Sequence, residues 1–292
     1  MCGIVGYVGA WNAAPVLLSG LSRLEYRGYD SAGIAVSDLR DGENRIEILK
    51  AKGRLQALKE MTDNGKAVSG TCGIGHTRWA THGEPSVANA HPHCSKDKRI
   101  VVVHNGIIEN YKELKEYLQK KGFVFLSETD TEVVAHLLDY YYKGNPLEAI
   151  ARALGRIRGS YALGILFKDQ PGKIYAVRKD SPLIIGRSEN GNFIASDVPA
   201  ILKYTKNVCY ISDMEIAELT KDTITFYDVD QEVLEKEFRT VEWDAKSAEK
   251  GGFEHFMLKE IYEQPKAVAD TIHPRIKDGK IVIEELGLSD ED

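Results

Sequence analysis

The chain has 292 residues, 43% hydrophobic and 28% charged, with a net charge of −6 and an isoelectric point near 5.8. That balance describes a soluble globular protein with enough chain for a large core. The absence of any long apolar run argues against a membrane span, and the acidic balance without a basic run argues against a nucleic-acid partner. The four cysteines, Cys2, Cys72, Cys94 and Cys209, are scattered with no C-x-x-C pair, which suits a reducing cytoplasm and not a disulfide framework. The first apolar stretch is broken by Gly3, Gly6 and Gly9 and lacks a basic leader, so it is not read as a signal peptide.

In chain order, residues 2–9 read as a strand opening on Cys2. Residues 13–25 follow as an amphipathic helix with Val16, Leu17, Leu21 and Leu24 on one stripe and Pro15 in the first turn. A polar turn runs from Tyr26 to Gly33. Ile34–Val36 and Ile46–Leu49 then read as paired strands joined through Asp41-Gly42, a hairpin signal. A short helix covers 54–62. The stretch from Gly73 to Pro85 begins as a strand and becomes a loop, and Ile100–His104 is an apolar run of the buried-strand kind.

Residues 110–121 form a helix ended by Gly122. A further helix follows Ser127–Glu132, where Thr129 and Glu132 fit a capping box, and its buried stripe is Val133, Val134, Leu137, Leu138 and Tyr141. Residues 146–157 are also helical. From Ser160 to about Arg239 the signal is strand after strand, interrupted by one helical turn at 198–204. The implied class is α+β, with antiparallel sheets stacked on one another and helices outside. A polar, small-residue segment, 242–253, reads as a linker. A helix at 254–272 and an acidic tail follow, too little for a complete unit, so the chain is expected to stop just inside a second domain.

Four positions carry possible chemistry. If Met1 is removed, Cys2 bears both a thiol and a free α-amine, and the amine is a plausible proton acceptor for its own thiol. The plainer alternative is a small buried residue at a strand start. Asn105-Gly106 offers a carboxamide and an N–H for an oxyanion hole, or is simply a turn. Arg78-Trp79 in a glycine-bounded loop can present charge and an amphipathic ring to a ligand, or be ordinary surface. Asp130 can complement a helix dipole or face a ligand ammonium. A metal site from His82, His91, His93 and Cys94 is the competing chemistry, but the spacing matches no common zinc pattern.

Five motifs occur together: Cys2-Gly3-Ile4-Val5-Gly6, the Tyr26–Gly33 turn, His76–Gly83, His104-Asn105-Gly106 and Glu128–Glu132. In this order they resemble the class II glutamine amidotransferases, which have the N-terminal nucleophile hydrolase fold. Leu24–Asp30 and Phe256–Pro265 resemble the branch that passes ammonia to fructose 6-phosphate in amino sugar biosynthesis. The resemblance implies a four-layer αββα sandwich over residues 2–241 and the start of a sugar-phosphate isomerase domain at 254–292. It implies that Cys2 attacks the side-chain amide of L-glutamine with its α-amine as general base, and that Asn105 and Gly106 stabilise the oxyanion. Arg78 would hold the substrate carboxylate and Asp130 its ammonium. Trp79, Thr81 and His82 would lie in a loop closing over glutamine, with Arg27, Tyr29 and His91 in support. No cofactor or metal is implied, and the full-length enzyme is expected to be a cytoplasmic homodimer. A catalytically dead interaction module on the same fold is the alternative from another class.

Overall fold

The computed structural model describes residues 2–80, 83–242, 252–277 and 279–283. They fall into two units, 1–242 and 243–292. Thr81, His82 and most of the expected linker lie outside the described residues.

The first unit opens with β1 (Gly3–Gly9), α1 (Ala13–Leu24), β2 (Ser31–Arg40), β3 (Glu43–Lys52), α2 (Leu55–Met61), β4 (Cys72–Arg78), β5 (His93–Cys94) and β6 (Ile100–Ile108). Three helices follow, α3 (Tyr111–Lys120), α4 (Thr131–Tyr141) and α5 (Pro146–Leu154). The remainder is β7 (Gly159–Phe167), β8 (Ile174–Lys179), β9 (Ile184–Ser188), β10 (Gly191–Ala195), β11 (Asn207–Tyr210), β12 (Ile216–Leu219), β13 (Ile224–Tyr227), β14 (Val233–Leu234) and β15 (Arg239–Thr240).

These strands build two antiparallel sheets. One has the order β15-β11-β9-β10-β1-β4-β2-β3, the other β14-β13-β12-β8-β7-β6-β5. The β2–β3 hairpin turns at Asp41 and Gly42, both with positive φ, as a tight two-residue turn requires.

Strand β6 shows how the layers form. Val101 and Val103 enter the core between the sheets with Ile4, Ile74 and Ala162, while Ile100 and Val102 enter a second core under the helices with Val134, Leu138 and Leu163. Successive side chains of a strand point to opposite faces, so a strand covered on both faces must be apolar throughout. Each such side chain stabilises the fold by about 1.5–3 kcal/mol relative to leaving it exposed, and a charge at Val103 would break the layer. With α1 on β1 and β4, and α4 on β6, the result is a four-layer αββα sandwich.

Two local expectations change. Asn105-Gly106 is no turn: β6 runs on to Ile108, still paired to β7. The capping box does not form. Helix α4 starts at Thr131 with Asp130 at its N-cap, so Glu132 sits one residue too early. Its carboxylate instead accepts from the Leu126 N–H at 2.8 Å and the Ser127 N–H at 2.7 Å.

The second unit contains α6 (Phe256–Ile272) and a small hairpin of β16 (Ile276–Lys277) and β17 (Lys280–Ile281). Met257, Ile261 and Val268 on α6 are exposed.

Candidate active site

Strand register places the first residue of the site. Gly3 on β1 faces Thr77 on β4, so Cys2 stands opposite Arg78, and Ser31 on β2 faces Arg78 from the other side. The Tyr26–Gly33 turn locks this corner. The Asp30 N–H donates to the Arg78 carbonyl at 3.1 Å, and the Ala80 N–H donates to Asp30 Oδ2 at 2.7 Å. Gly28 packs against the backbone here; a Cβ on it would stand 2.7 Å from the Arg78 carbonyl carbon.

The Cys2 sulfur accepts from the Trp79 N–H at 3.2 Å. Burial raises the thiol pKa above its ordinary value, while that N–H and Arg78 pull it part of the way back. The resting group is therefore a thiol that needs a base before it can act as a nucleophile.

Beyond Cys2 lies a recess lined by Arg78, Trp79, Gly106 and Asp130, with His91, His104, Thr129 and Thr131 behind. Asn105 Nδ2 donates to the Cys2 carbonyl at 3.0 Å. A side-chain amide nitrogen has two hydrogens, so one remains for a ligand oxygen. Gly106 has φ +119°, and a Cβ there would lie 2.1 Å from the Ser160 carbonyl oxygen. Only glycine fits.

Arg78 is buried, and its guanidinium donates to the Gly83 carbonyl at 3.1 Å, tying the recess to the following loop. Asp130 is also buried and accepts from the Ile108 N–H at 2.8 Å. The two therefore bring a fixed cation and a fixed anion to one small recess. Trp79 is half-exposed, with its ring edge-on to Tyr29 at 5.6 Å. Arg27 pairs with Asp197 and donates to Tyr26 Oη at 3.1 Å; it supports the Tyr26–Gly33 turn and does not line the recess.

The four buried histidines around the recess each have a hydrogen-bond partner. His91 Nδ1 accepts from the His104 N–H at 3.3 Å, and the His104 ring bonds Thr131 Oγ1 at 2.8 Å. His93 Nε2 lies 3.1 Å from Thr129 Oγ1. Burial drives His91 and His93 well below the ordinary imidazole pKa, lowers His104, and takes His76 down to about 3. Buried rings this hard to protonate are poor proton acceptors. Among the described residues no three His, Cys, Asp or Glu side chains converge on a metal position, and His82 lies outside them.

Residues 76–203 match the family model described as a glutamine amidotransferase domain. The chain carries a glutamine amidotransferase domain. Over its whole length it is 56% identical to the glutamine–fructose-6-phosphate aminotransferase (isomerizing) of Clostridium acetobutylicum, and 51% identical over 290 residues to that of Thermus thermophilus. It spans 47% of each of these relatives, their N-terminal half. Among solved structures it resembles the glutamine phosphoribosylpyrophosphate amidotransferase of B. subtilis, with a TM-score of 0.67 and 24% identity, over 80% of this chain and 50% of that one. A glutamine aminotransferase class-II domain protein from Silicibacter pomeroyi aligns over 78% of this chain and 99% of its own, at TM-score 0.55 and 17% identity. At these identities the structures establish the fold, that of the N-terminal nucleophile amidotransferases.

The amidotransferase domain thus gathers Cys2, Arg78, Trp79, Asn105, Gly106, Asp130 and His91 at one corner, with Tyr29 against Trp79. Sequence reasoning missed Asp30 and Thr131, which hold Ala80 and His104. Both lie inside the motifs, but their roles depend on partners 50 and 27 residues away.

Proposed function

We propose that this chain hydrolyses L-glutamine to glutamate and ammonia through a thioester on Cys2. The observation that carries this is the convergence on one recess of a half-buried thiol, a guanidinium, a carboxylate and a glycine backbone that excludes side chains. Arg78 would take the α-carboxylate and Asp130 the α-ammonium, which leaves the side-chain amide toward Cys2. The α-amine of Cys2, freed by loss of Met1, accepts the thiol proton. The sulfur attacks the amide carbon, and its oxygen collects charge facing Asn105 Nδ2 and the Gly106 N–H. The C–N bond then breaks, the ammonium returns its proton to the leaving nitrogen, and ammonia departs. Water, deprotonated by the same amine, attacks the thioester carbon; the C–S bond breaks to release glutamate, and the ammonium returns its proton to the Cys2 sulfur.

In a longer protein like its relatives, ammonia would pass to fructose 6-phosphate held by the remaining half, of which 254–292 would be the start. That enzyme would be a cytoplasmic homodimer making glucosamine 6-phosphate. The test is ammonia release from glutamine with trapping of the acyl-enzyme by acid quench and intact mass. Turnover together with a glutamyl adduct lost in Cys2→Ala supports the proposal; turnover that survives Cys2→Ala overturns it.

A further inference from the structure

We infer that His76 is a positioning residue that sets which end of the Asn105 carboxamide faces the nucleophile. The inference deepens the hydrolysis proposed above and rests on it.

His76 sits on β4, opposite Ile4 on β1, and its side chain crosses from one sheet to the middle of β6 in the other. Its Nε2 lies 3.0 Å from the His104 carbonyl oxygen and 3.0 Å from the near end of the Asn105 amide. A carbonyl oxygen can only accept, so Nε2 carries the proton. The amide atom sharing that proton must therefore be the oxygen, Oδ1. The far end is then the nitrogen, and it meets a second acceptor, the Cys2 carbonyl, at 3.0 Å.

Two fixed acceptors, one on β6 and one just ahead of β1, thus demand the same amide orientation through different partners. Reversed, the amide would set its oxygen against the Cys2 carbonyl and its nitrogen against a ring N–H. It would then present a lone pair where an oxyanion has to form.

The setting keeps the ring in this one state. His76 is fully buried and stacks on His91 with centroids 4.1 Å apart and planes 13° from parallel. Its Nδ1 makes no hydrogen bond. A neutral ring protonated on Nε2 is the form that burial favours, because the cation would be desolvated. His76 therefore neither gives nor takes a proton in the reaction. Its N–H acts through Asn105 alone, with a second arm that ties the chain at His104 and so fixes where Asn105 starts.

Substitutions separate this role from plain packing. A glutamine at position 76 places an NH2 where Nε2 stands and can donate to both acceptors; leucine fills similar space and donates to neither. His76→Leu is expected to lower kcat by about tenfold to a hundredfold, up to the scale of losing one oxyanion donor, with KM nearly unchanged. His76→Gln should recover most of that loss. In an Asn105→Ala background, His76→Leu should cost less than about threefold more, because the residue through which it acts is gone.

If the leucine variant does not fold, His76→Asn, whose amide is too short to reach Asn105, takes its place. Additive losses in the double variant, or a leucine variant with wild-type kcat, would overturn the inference. Wild-type protein whose turnover is indifferent to Cys2→Ala would instead overturn the hydrolysis proposal, so the two failures are distinguishable.

Discussion

Adding one methyl group at Gly106 should nearly silence the site. At φ +119° the new Cβ would lie 2.1 Å from the Ser160 oxygen, 2.8 Å from the Ser160 carbonyl carbon and 3.0 Å from the Tyr161 Cα. All three are backbone atoms of the paired strand β7, so no side chain can swing aside. Ordinary contact begins at 3.4 Å, so β6 and β7 must part by about 1.3 Å at this point. A misplacement of about 1 Å at a reacting centre costs on the order of 10²-fold in rate. The positive φ adds a strain of about 1–3 kcal/mol for any L side chain, which lowers Tm by several degrees in a domain of this size. Gly122→Ala is the control: its φ is +88°, nothing lies within 4 Å of the added carbon, and it sits after α3, away from the recess. The assay is ammonia release at saturating glutamine beside thermal unfolding of both variants. Gly106→Ala should lose about 10²-fold or more in kcat, and Gly122→Ala should lose stability only. Equal kcat in Gly106→Ala and wild type would refute the placement of Gly106 in the machinery.

Further outcomes follow from the same geometry. Cys2→Ala should retain glutamine binding by calorimetry while turnover vanishes; residual turnover at wild-type rate would remove the nucleophile. Arg78→Ala and Asp130→Ala should each cost about 2–5 kcal/mol in kcat/KM for glutamine, the scale for truncating one buried charge contact; unchanged kcat/KM in both would refute the clamp. Stability should fall on acidification. His76, His91 and His93 are buried neutral with lowered pKa, so below about pH 6.5 the unfolded chain takes up protons that the folded one does not. Each ring then costs up to about 1.4 kcal/mol per pH unit down towards its folded value. Urea unfolding at pH 7 and pH 5 measures this, and identical stability at the two values would show that these rings are not held neutral.

Much of this was legible in the residues. The run of strand signals from Ser160 to about Arg239 and the Asp41-Gly42 hairpin turn implied stacked antiparallel sheets, and the five motifs named the corner where they meet. What the sequence hid was set by long-range pairing. Asn105-Gly106 looks like a turn in isolation, yet pairing with Ala162 and Tyr161 keeps it in a strand. β10 (Gly191–Ala195) and β11 (Asn207–Tyr210) fall in the strand-rich stretch, but only their pairing with β1 and β9 shows which sheet they join. The capping box failed by a single residue, because Asp130 took the N-cap position. His76 looked like any motif histidine, and only the approach of β4 to β6 shows what its N–H touches.

The central claim is that the α-amine of Cys2 is the base that activates its thiol. An added residue ahead of Cys2 turns that amine into an amide without useful basicity near neutral pH. The measurement is glutamine turnover by a matched pair, one protein beginning at Cys2 and one retaining Met1, each verified by intact mass and folded by circular dichroism. The account predicts turnover by the first and almost none by the second. Comparable kcat in the two would contradict it and return the search for a base to the buried histidines.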